Sequence, residues 1–207
     1  MNYELEHRLK NAGKQEVIEI IHPKYLDEIK FSFIRQSEPN GLGHAILQAK
    51  HIITDDFFGI ILADDLILSE PGCFKQLLKI HEKTKSSVLG VFSASENQVS
   101  NYGVISSKNI EGIEKVDGIV EKPQPAEAPS NLAVFGRYIL SKDIFSNIEQ
   151  TKPGLNNEIQ LTDAIQELIS NKDVFALEFE GRRYDCGSKE GYISAIIDRA
   201  MSIDKYK

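Results

Sequence analysis

"FGIILADD", residues 58 to 65, decides how the rest of this chain is read. Six apolar or small residues without alternation, then two carboxylates, form the pattern of a short strand covered on both faces whose end meets solvent. Downstream, "FKQLLKIHEK" (74–83) has helical spacing and "SVLGVFS" (87–93) is again apolar and β-rich. Strand, helix and strand at this spacing predict βαβ units and a covered, parallel sheet. Upstream, "HAILQAKHII" (44–53) reads as a helix entered through "NGLG" (40–43). "EVIEII" (16–21) and "FSFIRQ" (31–36) read as strands, and "YELEHRLKNAG" (3–13) as a helix with Leu5 and Leu9 four apart and Gly13 as its stop.

The second half is less regular. "YGVIS", "IVEKP", "LAVFGRYIL" and "VFALEFE" predict strands, whereas "KDIFSNI", "EIQLTDAIQELI" and "EGYISAIIDRAM" predict helices. Asn156 or Asn157 is placed to cap the helix carrying Glu158, with Asp163 five residues further along it. An α/β/α layered domain with some antiparallel additions is the expectation, as one domain over residues 1–207.

Composition narrows the partners. Among 207 residues, 41% are hydrophobic and 27% charged, which suits a globular chain and not a disordered or fibrous one. A net charge of -7 argues against a nucleic-acid surface, which needs clustered Lys and Arg. No apolar run approaches the roughly 20 residues of a membrane span, and "MNYELEHRLK" lacks the apolar core of a signal peptide, so a cytoplasmic chain is expected. Cys73 and Cys186 stand in no metal-like spacing and are expected as reduced thiols.

Open α/β sheets bind ligands beyond the carboxyl ends of their strands, so the polar residues there matter most. Asp64 and Asp65 follow "FGIIL"; adjacent carboxylates there suit a hard cation such as Mg²⁺, the alternative being a solvated turn or a helix cap. "YDCG" (184–187) supplies Asp185, which by itself reads as a turn aspartate accepting backbone N–H bonds. "VEKP" (120–123) supplies Glu121, able to accept sugar hydroxyls, and Lys122, able to hold a phosphate as a point charge. "NGLGHAILQA" lacks the third glycine of a dinucleotide fingerprint and the GK[ST] of a P-loop, so its glycines do not mark a phosphate cradle.

In order along the chain, "FIRQSEPNGLGHAIL", "ILADDLIL", "YGVI", "GIVEKPQPAEAPSNLAVFGRYIL", "NNEIQLTDAI" and "YDCGSKEGYISA" resemble the bacterial UTP:glucose-1-phosphate uridylyltransferases. The resemblance runs from "YELEHRLKNAGK" to the last helix. It implies a three-layer α/β/α, Rossmann-like sugar-nucleotidyltransferase fold with a mixed, mostly parallel sheet. The implied reaction joins UTP and glucose 1-phosphate into UDP-glucose and pyrophosphate, by in-line attack on the α-phosphorus with Mg²⁺ as cofactor and no side-chain nucleophile.

By the same resemblance, Asp64 and Asp185 are the metal carboxylates, with Asp65 beside the sugar or metal. Gln36 and the backbone around Gly41 are implied in base recognition, and Gly103, Glu121 and Lys122 in holding glucose and its phosphate. Asn131 and Glu158 are implied in the wall of the sugar pocket, and Asp64, Lys122 and Asp185 as catalytic. A homo-oligomer is implied, with neither nucleic acid nor membrane as partner.

The family begins with a strand and a G-x-G-T-R loop followed by a P-K pair, for which this sequence has no counterpart. An N-terminally truncated enzyme lacking the first strands is therefore expected. The rival expectations are a noncatalytic remnant or sugar-nucleotide-binding module of the same family, a glucose-1-phosphate thymidylyltransferase, and a UDP-sugar glycosyltransferase.

Overall fold

The computed structural model describes residues 3–154 and 157–203. The chain divides into two compact units, Met1–Arg35 and Gln36–Lys207. In the first, α1 (Tyr3–Asn11) and α2 (Gln15–Ile21) are followed by a 3₁₀ turn, Lys24–Glu28. Glu6 is buried against His22, whose Nδ1 lies 3.2 Å from Glu6 Oε1 and whose Nε2 lies 3.3 Å from Asp27 Oδ1.

Two strand expectations fail in this part of the chain. "EVIEII" is α2, because Glu16 and Glu19 recur every third residue and break the alternation a half-buried strand requires. "FSFIRQ" belongs to no strand among the described residues. Its alternating Phe31 and Phe33 stay exposed, Phe33 at 96%. Alternation marks a face, but a strand exists only where a second backbone completes the ladder.

The second unit is built on a six-stranded sheet in the order β1 (Phe57–Ile61), β6 (Leu132–Ser141), β3 (Ser87–Ser93), β7 (Val174–Glu178), β5 (Ile113–Glu121), β4 (Gly103–Ile110). Among the described residues only β3 and β7 pair in parallel; β1–β6, β3–β6, β4–β5, β4–β6 and β5–β7 are antiparallel. These registers give β1, β3, β7 and β4 one direction, with β5 and β6 opposed. The expectation of a mostly parallel sheet therefore holds for strand direction and is corrected for strand pairing. The crossover from β1 to β3 leaves a gap one strand wide, and β6 fills it running the other way. A second correction follows for "FGIILADD": β1 is an edge strand, and Ile61 is 60% exposed.

Period-2 alternation sends side chains to two apolar layers. Leu89, Val91, Val134, Leu140, Val174 and Ala176 pack on one face against α3 (Gly41–Leu47), α5 (Ile144–Gln150) and α6 (Leu161–Asn171). Val88, Phe135 and Ile139 pack on the other against Cys73 and Leu77 of α4 (Cys73–Thr84). Fully burying a Leu, Val or Phe side chain contributes roughly 1.5–3 kcal/mol each, which makes these two layers the main source of stability. The helix expected to carry Glu158 starts later, at Leu161 with Gln160 before it, because residues 157–160 form the strap that meets the "NGLG" loop. Asn156, the other expected cap, lies outside the described residues.

A separate two-stranded ribbon pairs β2 (Asp65–Leu68) with β8 (Arg182–Asp185), placing Asp65 opposite Asp185. α7 (Lys189–Met201) follows directly, with Ser188 Oγ accepting a hydrogen bond from the Gly191 N–H at 3.0 Å. Among the described residues no helix is long and apolar enough to cross a membrane.

Candidate active site

At one end of the main sheet lies a cleft of about 360 Å³ that takes residues from the end of β1, the start of β4, the end of β5, the middle of β6, the start of α6 and the β2–β8 ribbon. Of the residues expected from sequence, Asp64, Asp65, Gly103, Glu121, Lys122, Glu158 and Asp185 line it. Gln36, Gly41 and Asn131 do not line it.

The acidic side is fixed by backbone bonds across long sequence separations. Asp64 C=O accepts the Cys186 N–H at 2.7 Å, tying the turn after β1 to the turn after β8. Arg137 holds the same turn from beneath, donating to Asp65 C=O at 2.6 Å and Leu62 C=O at 3.1 Å. A Cβ on Gly187 would lie 3.1 Å from Asp185 Oδ1 and 3.4 Å from Asp64 Oδ2. Both carboxylates thus border one small space, which glycine leaves open. Among the described residues no cluster of three or more His, Cys, Asp or Glu forms a self-sufficient metal cage. Two carboxylates facing one space instead fit a hard divalent cation that draws its other oxygens from water and bound phosphates.

Asp65 takes a different part. Its side chain is 8% exposed, pairs with Arg183 Nε through Oδ1 and accepts the Gly136 N–H through Oδ2 at 2.8 Å. Arg183 is sandwiched among aromatic rings, its guanidinium carbon 4.7 Å from the Phe92 centroid and 4.9 Å from that of Tyr102. From Arg183 Nη1 a bond of 3.3 Å reaches the Tyr102 hydroxyl, which donates in turn to Asp185 Oδ2 at 2.9 Å. Burial, reinforced by the Asp185 carboxylate and opposed by Arg183, raises the Tyr102 hydroxyl above its ordinary pKa and keeps it a donor. Tyr138, on the cleft floor, is raised for the same first reason and by the negative charges of Asp65 and Glu121.

On the opposite side, Gly103 pairs with Glu121 across the β4–β5 ladder. Glu121 Oε2 accepts the Thr162 hydroxyl at 2.5 Å, while Lys122 Nζ lies 3.6 Å from Oε1. Lys122 has a φ of +44°, and its N–H donates to Tyr102 C=O at 3.0 Å. A non-glycine residue held in this region costs on the order of 1–3 kcal/mol, which the surrounding ladder must offset.

The "NGLG" glycines serve close packing. Gly41 has a φ of +92°, and a Cβ there would sit 2.8 Å from Ile159 O and 2.8 Å from Glu158 Cβ. Gly43 N–H donates to Ile159 C=O at 3.0 Å and Ile159 N–H to Asn40 C=O at 2.9 Å, which clamps the loop to the strap carrying Glu158. The Gln36 amide nitrogen is turned inward, 3.2 Å from Gly41 O and 3.0 Å from His44 Nδ1. Asn131 is exposed directly before β6, its C=O accepting the Ala94 N–H at 2.9 Å. Sequence reasoning missed Tyr102, Arg137, Thr162 and Arg183. Each resembles an ordinary surface polar residue until the partner, 41 to 118 positions away, is brought alongside.

A mixed sheet covered by helices, with paired carboxylates beyond one end, defines an α/β nucleotide-handling architecture. Residues 3–201 match the Nucleotidyl transferase family, and the chain belongs to it. More particularly, it is 44% identical over 198 residues to a UTP–glucose-1-phosphate uridylyltransferase of Pseudomonas aeruginosa, spanning 94% of this chain and 71% of that protein. It is also similar to the crystal structure of a UDP-glucose pyrophosphorylase complexed with UDP-glucose, at a TM-score of 0.86 and 42% identity over 93% of this chain and 74% of that one. The UTP-bound UGPase from Acinetobacter baumannii superposes at a TM-score of 0.84 with 33% identity, covering all of this chain and 72% of that one.

Proposed function

We infer that the cleft carries out uridylyl transfer, with UTP and glucose 1-phosphate giving UDP-glucose and pyrophosphate. The observation that carries this reading is the pairing of two functionally distinct sides in one cleft. Asp64 and Asp185 border one space, and Glu121 with Lys122 offers a hydroxyl acceptor and a phosphate-holding cation opposite. The reaction class is supported by the relatives at 42–44% identity.

The reaction needs no covalent help from the protein: a sugar-phosphate oxygen displaces pyrophosphate at the α-phosphorus, so positioning and charge compensation carry it. Asp64 and Asp185 would hold Mg²⁺, which when bound offsets charge on the reacting phosphates. Glu121 accepts glucose hydroxyls, its Oε2 held in place by the Thr162 hydroxyl. Lys122 stands beside it to hold the sugar phosphate as a point charge. Asp65, buried and committed to Arg183 and Gly136, supports the site from behind. Glu158, on the cleft lining, bounds the sugar pocket, and Gln36, the Gly41 backbone and Asn131 extend the site beyond that lining, the first two toward the base and Asn131 toward the sugar. One domain over residues 1–207, a cytoplasmic setting and self-association complete it.

Mg²⁺-dependent pyrophosphate release from UTP plus glucose 1-phosphate tests this reading, with Asp64→Ala as the partner measurement. Loss of one carboxylate from the cation space removes a contribution of several kcal/mol, so the rate is expected to fall at least about 100-fold. Undiminished release by the variant would remove Asp64 from the reaction. Preference for sugar transfer from UDP-glucose, or for dTTP over UTP, would favour the glycosyltransferase or thymidylyltransferase alternative.

A further inference from the structure

Asp185 ends β8 at the rim of the cleft, at an intermediate level of exposure. A carboxylate in that setting can turn about its side-chain bonds, and each rotation would carry Oδ1 away from the space it shares with Asp64. Two hydrogen bonds oppose this, besides the Arg183 guanidinium, whose Nη2 stands 3.7 Å from Oδ2. Oδ1 accepts the Gly187 N–H at 3.1 Å within the turn, and Oδ2 accepts the Tyr102 hydroxyl at 2.9 Å from a different element altogether. The turn bond moves with Asp185. The tyrosine bond does not, because Tyr102 is anchored independently: its ring packs edge-on against Phe92 at 5.2 Å, and its C=O accepts the Lys122 N–H. Its hydroxyl also accepts from Arg183, which is locked in turn by buried Asp65 and by the Phe92 and Phe135 rings.

We propose that Tyr102 is a positioning residue for the cation site. Its hydroxyl holds Asp185 Oδ2 so that Oδ1 faces Asp64, with Arg183 linking this hydroxyl to the buried Asp65 carboxylate. The inference rests on the reading of Asp64 and Asp185 as the cation carboxylates. It assigns a role to a cleft-lining side chain that the reading of the reaction leaves without one. It also accounts for a buried ion pair, Asp65–Arg183, that the reaction itself does not use. Groups that orient a metal ligand through a second bond typically contribute 10- to 100-fold in metal affinity or activity when removed.

Tyr102→Phe deletes the hydroxyl and retains the ring that packs on Phe92 and Arg183. Mn²⁺ binding to the full 207-residue chain in the presence of UDP-glucose, followed by the loss of the free Mn²⁺ electron paramagnetic resonance signal, reads affinity without turnover. Asp185→Asn serves as the reference. The expected result is a dissociation constant raised 10- to 100-fold in Tyr102→Phe, and Mn²⁺ binding reduced at least as much in Asp185→Asn. In the assay, the Mg²⁺ concentration for half-maximal rate should rise while KM for glucose 1-phosphate stays unchanged. Wild-type Mn²⁺ affinity in Tyr102→Phe, with binding lost in Asp185→Asn, would overturn the positioning role and leave the cation reading intact. Full Mn²⁺ binding in Asp185→Asn would instead remove the cation reading itself. An equal rise in half-saturating Mg²⁺ and in KM for glucose 1-phosphate would mark general loosening of the cleft, and would also overturn the proposal. If Tyr102→Phe melts well below the wild type, Arg183→Lys provides the second test. It keeps the charge beside Asp65 but shortens the fork that reaches the Tyr102 hydroxyl, and unaltered Mn²⁺ affinity there together with intact melting would remove Arg183 from the link.

Discussion

The two sides of the cleft are assembled by different means. On the acidic side, carboxylates from residues 64, 65 and 185 are gathered by a ribbon, an arginine core and backbone bonds that join distant parts of the chain. On the other side, Gly103 and Glu121 are partners within one hairpin, β4–β5, Lys122 follows it directly, and the Glu121 side chain is held by a neighbour from outside the hairpin, Thr162 at the start of α6. The first arrangement depends on buried charge, and the second on a ladder that forms locally. Damage should therefore spread on the acidic side and stay confined on the other.

The hardest test of that contrast is Asp65→Ala. It leaves the Arg183 guanidinium, 12% exposed, with only the longer 3.7 Å pairing to Asp185 Oδ2. Breaking a buried pair by removing one partner costs about 3–5 kcal/mol. Denaturant unfolding should show that loss, with Mg²⁺-dependent activity falling alongside it; a loss below about 1 kcal/mol would mean the ribbon is not held by this pair.

A smaller and more local effect is expected from Glu121→Gln. The Thr162 hydroxyl keeps an oxygen to donate to, so stability should change little. A charged acceptor for glucose hydroxyls becomes a neutral one, at about 1–2 kcal/mol in the hydrogen bonds made with sugar. KM for glucose 1-phosphate should rise roughly tenfold while the Mg²⁺ requirement is unmoved. A shifted Mg²⁺ requirement would show that the two sides are coupled.

The smallest effect lies outside the cleft, at Asp143. Its carboxyl is held below the ordinary Asp value, first by the Lys172 ammonium and then by the Ser141 hydroxyl. A folded-state value below the unfolded one adds stability at pH above about 4, and that contribution is lost as the pH falls through the lowered value. Both partners are about half exposed, so Asp143→Asn should cost less than about 1 kcal/mol at neutral pH. Its stability difference from the wild type should shrink toward zero in acid; a difference that persists there would point to packing and not charge.

Much of the second unit was legible because its strands are apolar and its helices periodic. β3 matches "SVLGVFS" at both ends, α4 contains "FKQLLKIHEK", and β4 through β6 fall where turn residues bound β-rich runs. Strand pairing was not legible, because the residues that make a strand do not name its neighbour, and β6 inserts between two strands that the βαβ pattern puts side by side. The ribbon escaped for a related reason: β2 and β8 are four residues each, and "RRYD" carries no apolar alternation. In the site, single carboxylates at strand ends were visible as candidates, but their division of labour was not. Asp64 and Asp65 are indistinguishable in "ILADDLIL", yet the first is exposed at the cleft and the second buried beneath it. Arg183, arriving from 118 residues away, and the Gly136 N–H, from 71, separate them.

That separation has a kinetic meaning. Bringing two ends of a flexible segment of this length together costs on the order of 4 kcal/mol of chain entropy, recovered only when the contact is made. β2 can acquire its partner only once β8 exists, so a nascent chain extended no further than α6 presents Asp64 and Glu121 but has neither Arg183 nor Asp185. The ribbon therefore makes the acidic half of the cleft wait on β8, the last strand among the described residues.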